Sequence, residues 1–395
     1  MYPLMSGARI LFRASLLIFV VTIVIGILNG LDIWLPTHNL LLTHVHAGTL
    51  GWITLSVIGV ALLMFGEGAG PDVVRTSNTL AKGAVGAAVL YVVAFATGTG
   101  IFRPIAGTIM LAAIVSALVW VWKRFSSLAN RSSHHLAMLL TFVSLTIGAV
   151  LGVILGLFIA RGSVPGLSDD TAGTLAGAHP PAMLIGYLIL AGVAITDWLL
   201  HGPPGRIGPI VAWSLFVAGI VVNIAIMFDI EALIQVATLL EVVAIILVLV
   251  RMWSRIKPSA WSGGGGSNFA RASVVFLAIG IALLVNVVRL FISGELDPET
   301  NTGPIGVLLA FDHAMFIGVM TNALFAAIAA ITDAAQNRLV LWAVNGGLAV
   351  FLIGLLADTA VLKQIGAPIM GLALLYGIYV YFTAMGSSRE PALTP

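Results

Sequence analysis

The chain has 395 residues, of which 60% are hydrophobic and only 9% are charged. A mean hydropathy of +1.10 excludes a soluble globular protein and indicates a polytopic membrane protein. The net charge is only +2, and loop arginines explain the basic balance, so nucleic acid is not an expected partner. The absence of cysteine excludes disulfides, covalent c-type heme, cysteine-ligated iron–sulfur clusters and a thiolate copper site within the chain.

Twelve apolar segments follow one another, each long enough to cross a hydrocarbon core of about 30 Å. They cover residues 8–33, 40–66, 80–101, 104–123, 134–160, 171–200, 207–228, 230–254, 269–293, 304–332, 338–357 and 364–385. The connections are short, so we predict a single membrane domain over 1–395. The inner loop 257–268 contains a Ser-Gly-Gly-Gly-Gly-Ser run and is expected to be flexible.

Basic residues predict the orientation of these helices. If the helices alternate in direction, 14 of the 18 Lys and Arg residues fall on the side of the N-terminus. The outer side then holds Arg103, Arg161, Arg289 and Lys363. This distribution predicts that both termini are cytoplasmic and that the chain lies in the cell membrane.

Histidines recur on every fourth helix. His46, His179 and His313 are separated by nearly equal intervals and lie near the starts of the second, sixth and tenth segments. His44 lies two residues before His46, about 200° around a helix, so the two side chains face different neighbours. One of them is predicted to face His313 and the other His179. Because a membrane imidazole needs a partner, we expect His313 with His44 or His46 to bind one heme b, and the remaining pair a second heme or copper.

Glycines repeat with the histidines. Gly51, Gly186 and Gly318 also recur at nearly even intervals, and glycine lets a neighbouring helix or a flat macrocycle approach a backbone closely. A pattern that returns every fourth helix predicts a pseudo-threefold, all-α bundle that points the imidazoles into shared interior sites.

Charged residues supply further candidates. Arg103, Arg161 and Arg289 are expected to bind the anionic heme propionates, with interface anchoring as the alternative. Glu241 falls in the middle of the eighth segment, where a carboxylic acid either relays protons or forms a hydrogen bond within the bundle. Asp197 lies near a helix end and is expected to be interfacial.

Two local motifs resemble a known superfamily. Residues 42–52, Leu-Thr-His-Val-His-Ala-Gly-Thr-Leu-Gly-Trp, resemble the ligand-bearing helices of cbb-type oxidases and nitric oxide reductases, and the HxH segment of the NnrS family. Residues 311–318 resemble the tenth helix of both groups. Twelve helices with histidines on the second, sixth and tenth are similar to subunit I of the heme-copper oxidase superfamily. The resemblance implies redox or nitric oxide chemistry, with quinol or a diatomic gas and an additional redox subunit as partners.

The chain departs from the oxidase pattern at three positions. Phe311 stands where the tenth helix of oxidases carries its first histidine, and segment 207–228 lacks the seventh-helix copper histidines. Met183 stands four residues after His179, where oxidases have a crosslinking tyrosine. The resemblance therefore implies a heme scaffold with an altered active site, as in the NnrS-like group, and leaves open whether the protein is an oxidoreductase.

Two other functional classes remain open. Twelve helices, membrane histidines and Glu241 also suit a proton-coupled transporter without heme, although no pair of broken helices marks two inverted halves. A gas sensor or assembly subunit that retains the fold without catalysis is the third possibility.

Overall fold

The computed structural model describes residues 3–34, 36–98, 100–165, 168–262, 266–296, 303–332 and 337–387. These ranges contain twelve helices long and apolar enough to cross a membrane, which confirms that the chain is an all-α, multi-pass membrane protein. They are α1 (Met5–Gly30), α2 (His38–Met64), α3 (Pro71–Thr97), α4 (Phe102–Ser127), α5 (Ser133–Arg161), α6 (Thr171–Leu199), α7 (Ile207–Met227), α8 (Glu231–Ile256), α9 (Ser267–Ile292), α10 (Ile305–Ala330), α11 (Arg338–Leu356) and α12 (Ala360–Gly386).

The predicted boundaries differ most for α3. The prediction began at residue 80, whereas the helix begins at Pro71, a favoured residue for a first helical turn. Its first turns are polar and include Asp72, Arg75 and Lys82, so hydropathy alone missed them. Of the inner loop 257–268, Pro258–Ser262 forms a short 3₁₀ helix, while 263–265 lie outside the described residues.

Three helices lie inside a ring of nine. In chain order, the ring is closed by contacts between α1 and α3, α3 and α4, α4 and α5, α5 and α7, α7 and α8, α8 and α9, α9 and α11, α11 and α12, and α12 and α1. The helices left inside are α2, α6 and α10. Their most apolar windows are 94%, 83% and 78% buried, against 28–50% for the other nine. The second helix of each group of four therefore occupies the interior.

The ring helices expose apolar side chains on the outside of the bundle. On α8, Leu239, Val243, Ile246 and Val250 are exposed at helical spacing, while Glu241 and Ala244 on the opposite face are buried. An apolar stripe on the outside of a bundle is stable only against hydrocarbon, which fits the apolar composition of the whole chain.

Each inner helix contains a π-helical stretch in its middle. These stretches are Ala47–Thr54 in α2, Ala182–Leu188 in α6 and Ala314–Thr321 in α10. π-helical turns are rare and are frequently found at functional sites. Because each adds a residue to the turn, the side chains that follow are rotated by roughly 100° relative to a continuous α-helix. All three stretches directly follow the histidine-bearing turns.

Candidate functional site: two imidazole pairs between the inner helices

The start of each π-helical stretch gives a common reference position for aligning the three repeats. His44 and His179 each lie three residues before a stretch, and His46 and His313 each lie one residue before. The equivalent segments are thus His-Val-His at 44–46, His-Pro-Pro at 179–181 and Phe-Asp-His at 311–313. We call the first position of each segment A and the third position B. Histidine occupies A in the first two repeats and B in the first and third.

The two A histidines have matching surroundings. Nδ1 of His44 is 2.9 Å from the carbonyl oxygen of Thr22 on α1, and Nδ1 of His179 is 3.0 Å from that of Gly148 on α5. Each imidazole ring also lies against a glycine of that first helix, four residues beyond the residue whose carbonyl accepts the hydrogen bond: Gly26 on α1 and Gly152 on α5. A Cβ atom on Gly26 would lie 3.0 Å from Cε1 of His44, and one on Gly152 only 2.7 Å from Cε1 of His179. The first helix of each repeat therefore holds the A imidazole.

The two B histidines match each other in a different way. Nδ1 of His46 is 2.7 Å from the carbonyl oxygen of Leu42, and Nδ1 of His313 is 2.8 Å from that of Leu309, in both cases four residues back on the same helix. The ring of His46 stacks on Phe95 of α3, with centroids 3.9 Å apart. The ring of His313 meets Phe351 of α11 edge-on at 4.9 Å. The third helix of each repeat thus supplies an aromatic wall to the B imidazole.

The electrostatic interactions among the four histidines are of the A–B type. His44 lies within electrostatic range of His313, and His46 within range of His179. Each pair joins neighbouring inner helices, α2 with α10 and α2 with α6. The equivalent interface between α6 and α10 has Pro181 at position B and Phe311 at position A.

Every one of the four imidazoles has the same tautomer. A carbonyl oxygen can only accept a hydrogen bond, so each Nδ1 carries the hydrogen and Nε2 keeps its lone pair. None of the four Nε2 atoms has a hydrogen-bond partner in the part of the chain that the structure describes. The imidazoles are only half-buried although the inner helices are the most buried in the bundle. The nitrogen that binds metals is therefore free on each of the four imidazoles.

The predicted arginine ligands separate into one interior residue and two surface residues. Nη2 of Arg103 donates to Oδ1 of Asn39 at 2.7 Å, and the guanidinium lies over the Phe95 ring at 5.0 Å, within electrostatic range of His46. Its Nε is buried and has no hydrogen-bond partner among the described residues. Arg161 and Arg289 are exposed, and Arg289 pairs with Glu295 at 3.4 Å. Only Arg103 lies beside a histidine pair.

The repeated glycines serve helix packing. A Cβ atom on Gly51 would lie 2.3 Å from the Ile18 side chain of α1, and one on Gly318 would lie 2.4 Å from the Phe276 ring of α9. The missing Cβ of Gly186 faces Gly219 of α7 at 3.7 Å. Of the two predicted uses, close approach of helices accounts for all three contacts.

Buried side-chain hydrogen bonds join the inner helices within the π-helical stretches that follow the histidines. Nε1 of Trp52 donates to Oγ1 of Thr321 at 3.1 Å, which links α2 to α10. The hydroxyls of Thr54 and Tyr187 are 3.0 Å apart and link α2 to α6. All four side chains are fully buried, so these contacts fix the spacing of the helices that carry the imidazoles.

Glu241 is the buried acid that the sequence predicted in mid-membrane. Its side chain is 1% exposed, and Oε1 has no hydrogen-bond partner among the described residues. Oδ1 of Asn223 on α7 and Oγ of Ser144 on α5 are likewise buried and without such a partner. These unpaired polar atoms are costly in an apolar interior, and such groups in membrane helices are commonly functional.

Asp197 lies near the end of α6, as predicted, and its side chain is buried against neighbouring helices. Its carboxylate pairs with Arg251 of α8 and accepts a 2.7 Å hydrogen bond from Ser133 of α5. The Arg251 side chain is 9% exposed and also donates to the carbonyl oxygen of Pro203 at 2.8 Å. The charged partner on another helix allows the carboxylate to lie inside the bundle. The sequence around Asp197 does not predict this partner, because Arg251 is distant in the chain.

The described residues contain no group of three or more His, Cys, Asp or Glu side chains close enough to hold a metal ion. Neither a protein-family model nor a curated protein matches the chain. The described part of the chain therefore defines the class by its fold: an all-α membrane protein with twelve candidate spans, whose three inner helices carry histidines.

Proposed function

We propose that the protein is a membrane b-type cytochrome with two bis-imidazole heme sites. The first lies between α2 and α10, with His44 and His313 as ligands. The second lies between α2 and α6, with His46 and His179 as ligands. The observation that carries the proposal is the shared tautomer, since all four Nδ1 atoms are held by carbonyl oxygens and all four Nε2 lone pairs are free.

The residues present fit heme better than they fit copper. A six-coordinate heme needs two imidazoles from opposing helices at similar depth, and each pair supplies two. The histidines lie about 9–12 Å from the beginnings of their helices, as the helical rise predicts. Copper sites in proteins commonly use three or more nitrogen or sulfur ligands, whereas each site here has two histidines. Copper in the second site is the alternative that metal analysis tests.

The protein side of the chemistry is positioning. Bound heme b supplies one-electron redox chemistry. The carbonyl oxygens of Thr22, Gly148, Leu42 and Leu309 orient the imidazoles and raise their basicity through Nδ1. Arg103, within electrostatic range of His46 and with an Nε that has no hydrogen-bond partner among the described residues, would bind a heme propionate.

Two histidines on one iron favour electron transfer over gas chemistry. A diatomic gas needs an open coordination position, so binding one would require an imidazole to leave. We therefore propose an electron-transfer role related to that of the heme-copper oxidase superfamily, with quinol as the candidate donor and nitric oxide chemistry as the candidate use. An additional redox subunit remains the candidate partner. In this scheme both termini are cytoplasmic and the heme sites lie in the outer half of the cell membrane.

Glu241 favours a second candidate function, proton coupling. A fully buried carboxyl with a free oxygen can take up or release a proton as charge moves nearby. In a cytochrome it would accompany electron transfer. In a transporter without heme it would carry the coupled proton.

Absorption spectroscopy with pyridine-hemochrome quantification and metal analysis tests the proposal. We expect two equivalents of heme b per chain, with the sharp reduced α-band of low-spin iron, and no stoichiometric copper. Protein produced with ample heme that shows no Soret band and no metal would refute the cytochrome proposal and leave the transporter. One heme with about one copper would place copper at His46 and His179.

A further inference from the structure

A groove runs along the outside of the bundle between α3 and α4, and none of the four histidines lines it. Its volume is about 430 Å³. Small residues such as Gly83, Ala84 and Ala87 on α3 and Ala113 on α4 line it, and Trp120 lies near one end. Because the groove extends over residues 76–87 of α3, it is about 16 Å long, half the thickness of a hydrocarbon core. It faces the lipid, since Gly83 is exposed.

The lining is apolar in its chemistry despite three hydroxyls. Thr76, Thr79 and Ser116 each donate to a carbonyl oxygen of their own helix, at 2.8, 3.2 and 2.7 Å. The lining contains no charged or amide side chain. A quinone ring would find no free hydrogen-bond donor for its carbonyl oxygens here, because the three hydroxyls already donate to backbone carbonyls. A hydrocarbon chain needs no donor.

Charge lies at one end of the groove. Lys123 continues the stripe of α4 that forms the groove, three residues beyond Trp120, and is exposed. It has no ion-pair partner among the described residues. Asp72 and Arg75 at the start of α3 pair with each other at 3.0 Å and so largely cancel. The net charge of these three residues is positive, and Lys123 lies near the end of α4.

We propose that the groove binds one anionic phospholipid, with an acyl chain against Gly83 and Ala113 and the phosphate at Lys123. Acyl chains fill apolar grooves that small residues open, and a basic side chain at the membrane surface attracts anionic head groups. The site is independent of heme binding.

Native mass spectrometry of the intact protein, exchanged into equal amounts of phosphatidylglycerol and phosphatidylcholine, tests this site. We expect one retained phosphatidylglycerol. Gly83→Leu fills the groove and should lose it, while Gly86→Leu, at an exposed glycine of the same helix outside the groove, should keep it. Ser116→Leu blocks the opposite wall and serves if Gly83→Leu does not fold. Lys123→Gln should retain a lipid but lose the preference for phosphatidylglycerol.

Equal retention of the two lipids by the unaltered protein would overturn the head-group assignment. Equal lipid retention by Gly83→Leu and Gly86→Leu would overturn the groove itself. A copurified quinone that Gly83→Leu releases would overturn the phospholipid in favour of a quinone site.

Discussion

Gly152→Ala should displace one heme ligand without touching the ligand itself. The added Cβ would lie 2.7 Å from Cε1 of His179 and 3.2 Å from Nδ1, whereas ordinary contacts begin at 3.4 Å. The imidazole must therefore retreat by about 0.7 Å, and its hydrogen bond to Gly148 must lengthen or bend. Loss of a group that orients a metal-bound histidine typically costs 10- to 100-fold in affinity, roughly 1.4–2.7 kcal/mol.

The measurement is heme titration of the purified protein, with heme per chain read from the pyridine hemochrome. We expect the site between α2 and α6 to lose affinity by that factor while the site between α2 and α10 is unchanged. Gly26→Ala should act more weakly on His44, because its added Cβ would lie 3.0 Å from Cε1. Gly86→Ala is the control, since nothing lies within 4 Å of its Cβ position. If Gly152→Ala binds both hemes as tightly as Gly86→Ala, the packing of His179 against α5 does not position a ligand.

Three further outcomes are expected. Replacing both Phe311 and Pro181 by His should add a third heme equivalent, measured by hemochrome assay. Phe311→His alone should not add one. No gain of heme in the double variant would contradict the threefold equivalence. Arg251→Ala leaves the buried Asp197 carboxylate without its partner and should lower the folding stability by about 3–5 kcal/mol, measured as a lower Tm. Arg75→Ala breaks an exposed ion pair and should change the folding stability by less than about 1 kcal/mol. Equal Tm shifts in the two variants would refute the stabilising role of the buried ion pair. Glu241→Gln should keep heme binding but reduce proton uptake on reduction in proteoliposomes, and unchanged uptake would make Glu241 structural.

Hydropathy predicted the twelve helices because membrane helices are recognised by length and apolarity alone. The recurrence of His on every fourth helix predicted imidazoles that point into interior sites, and the helices that carry them, α2, α6 and α10, are the three inner ones. The polar start of α3 and the burial of Asp197 were missed for different reasons. The first turns of α3 are too polar for hydropathy to detect, whereas the burial of Asp197 depends on Arg251, a contact outside the local sequence.

The histidine spacing by itself suggested the wrong equivalence. Nearly equal intervals made His46, His179 and His313 look like one set. The glycines of the repeat give the equivalence that the π-helical stretches define, because each is the fifth residue of its stretch, so that His179 matches His44 and His313 matches His46. The glycines are the better markers because they are fixed by helix packing, whereas a ligand can occupy either of two positions. The π-helical stretches themselves leave no simple signal in the sequence.

The most direct test of the central claim is heme stoichiometry in histidine variants combined within and across the two pairs. The account predicts that His44→Ala, His313→Ala and their double variant each retain one heme, as do His46→Ala, His179→Ala and their double variant. His44→Ala combined with His179→Ala should retain none. Loss of both hemes in a double variant within one pair, or retention of one heme across the pairs, would contradict the pairing.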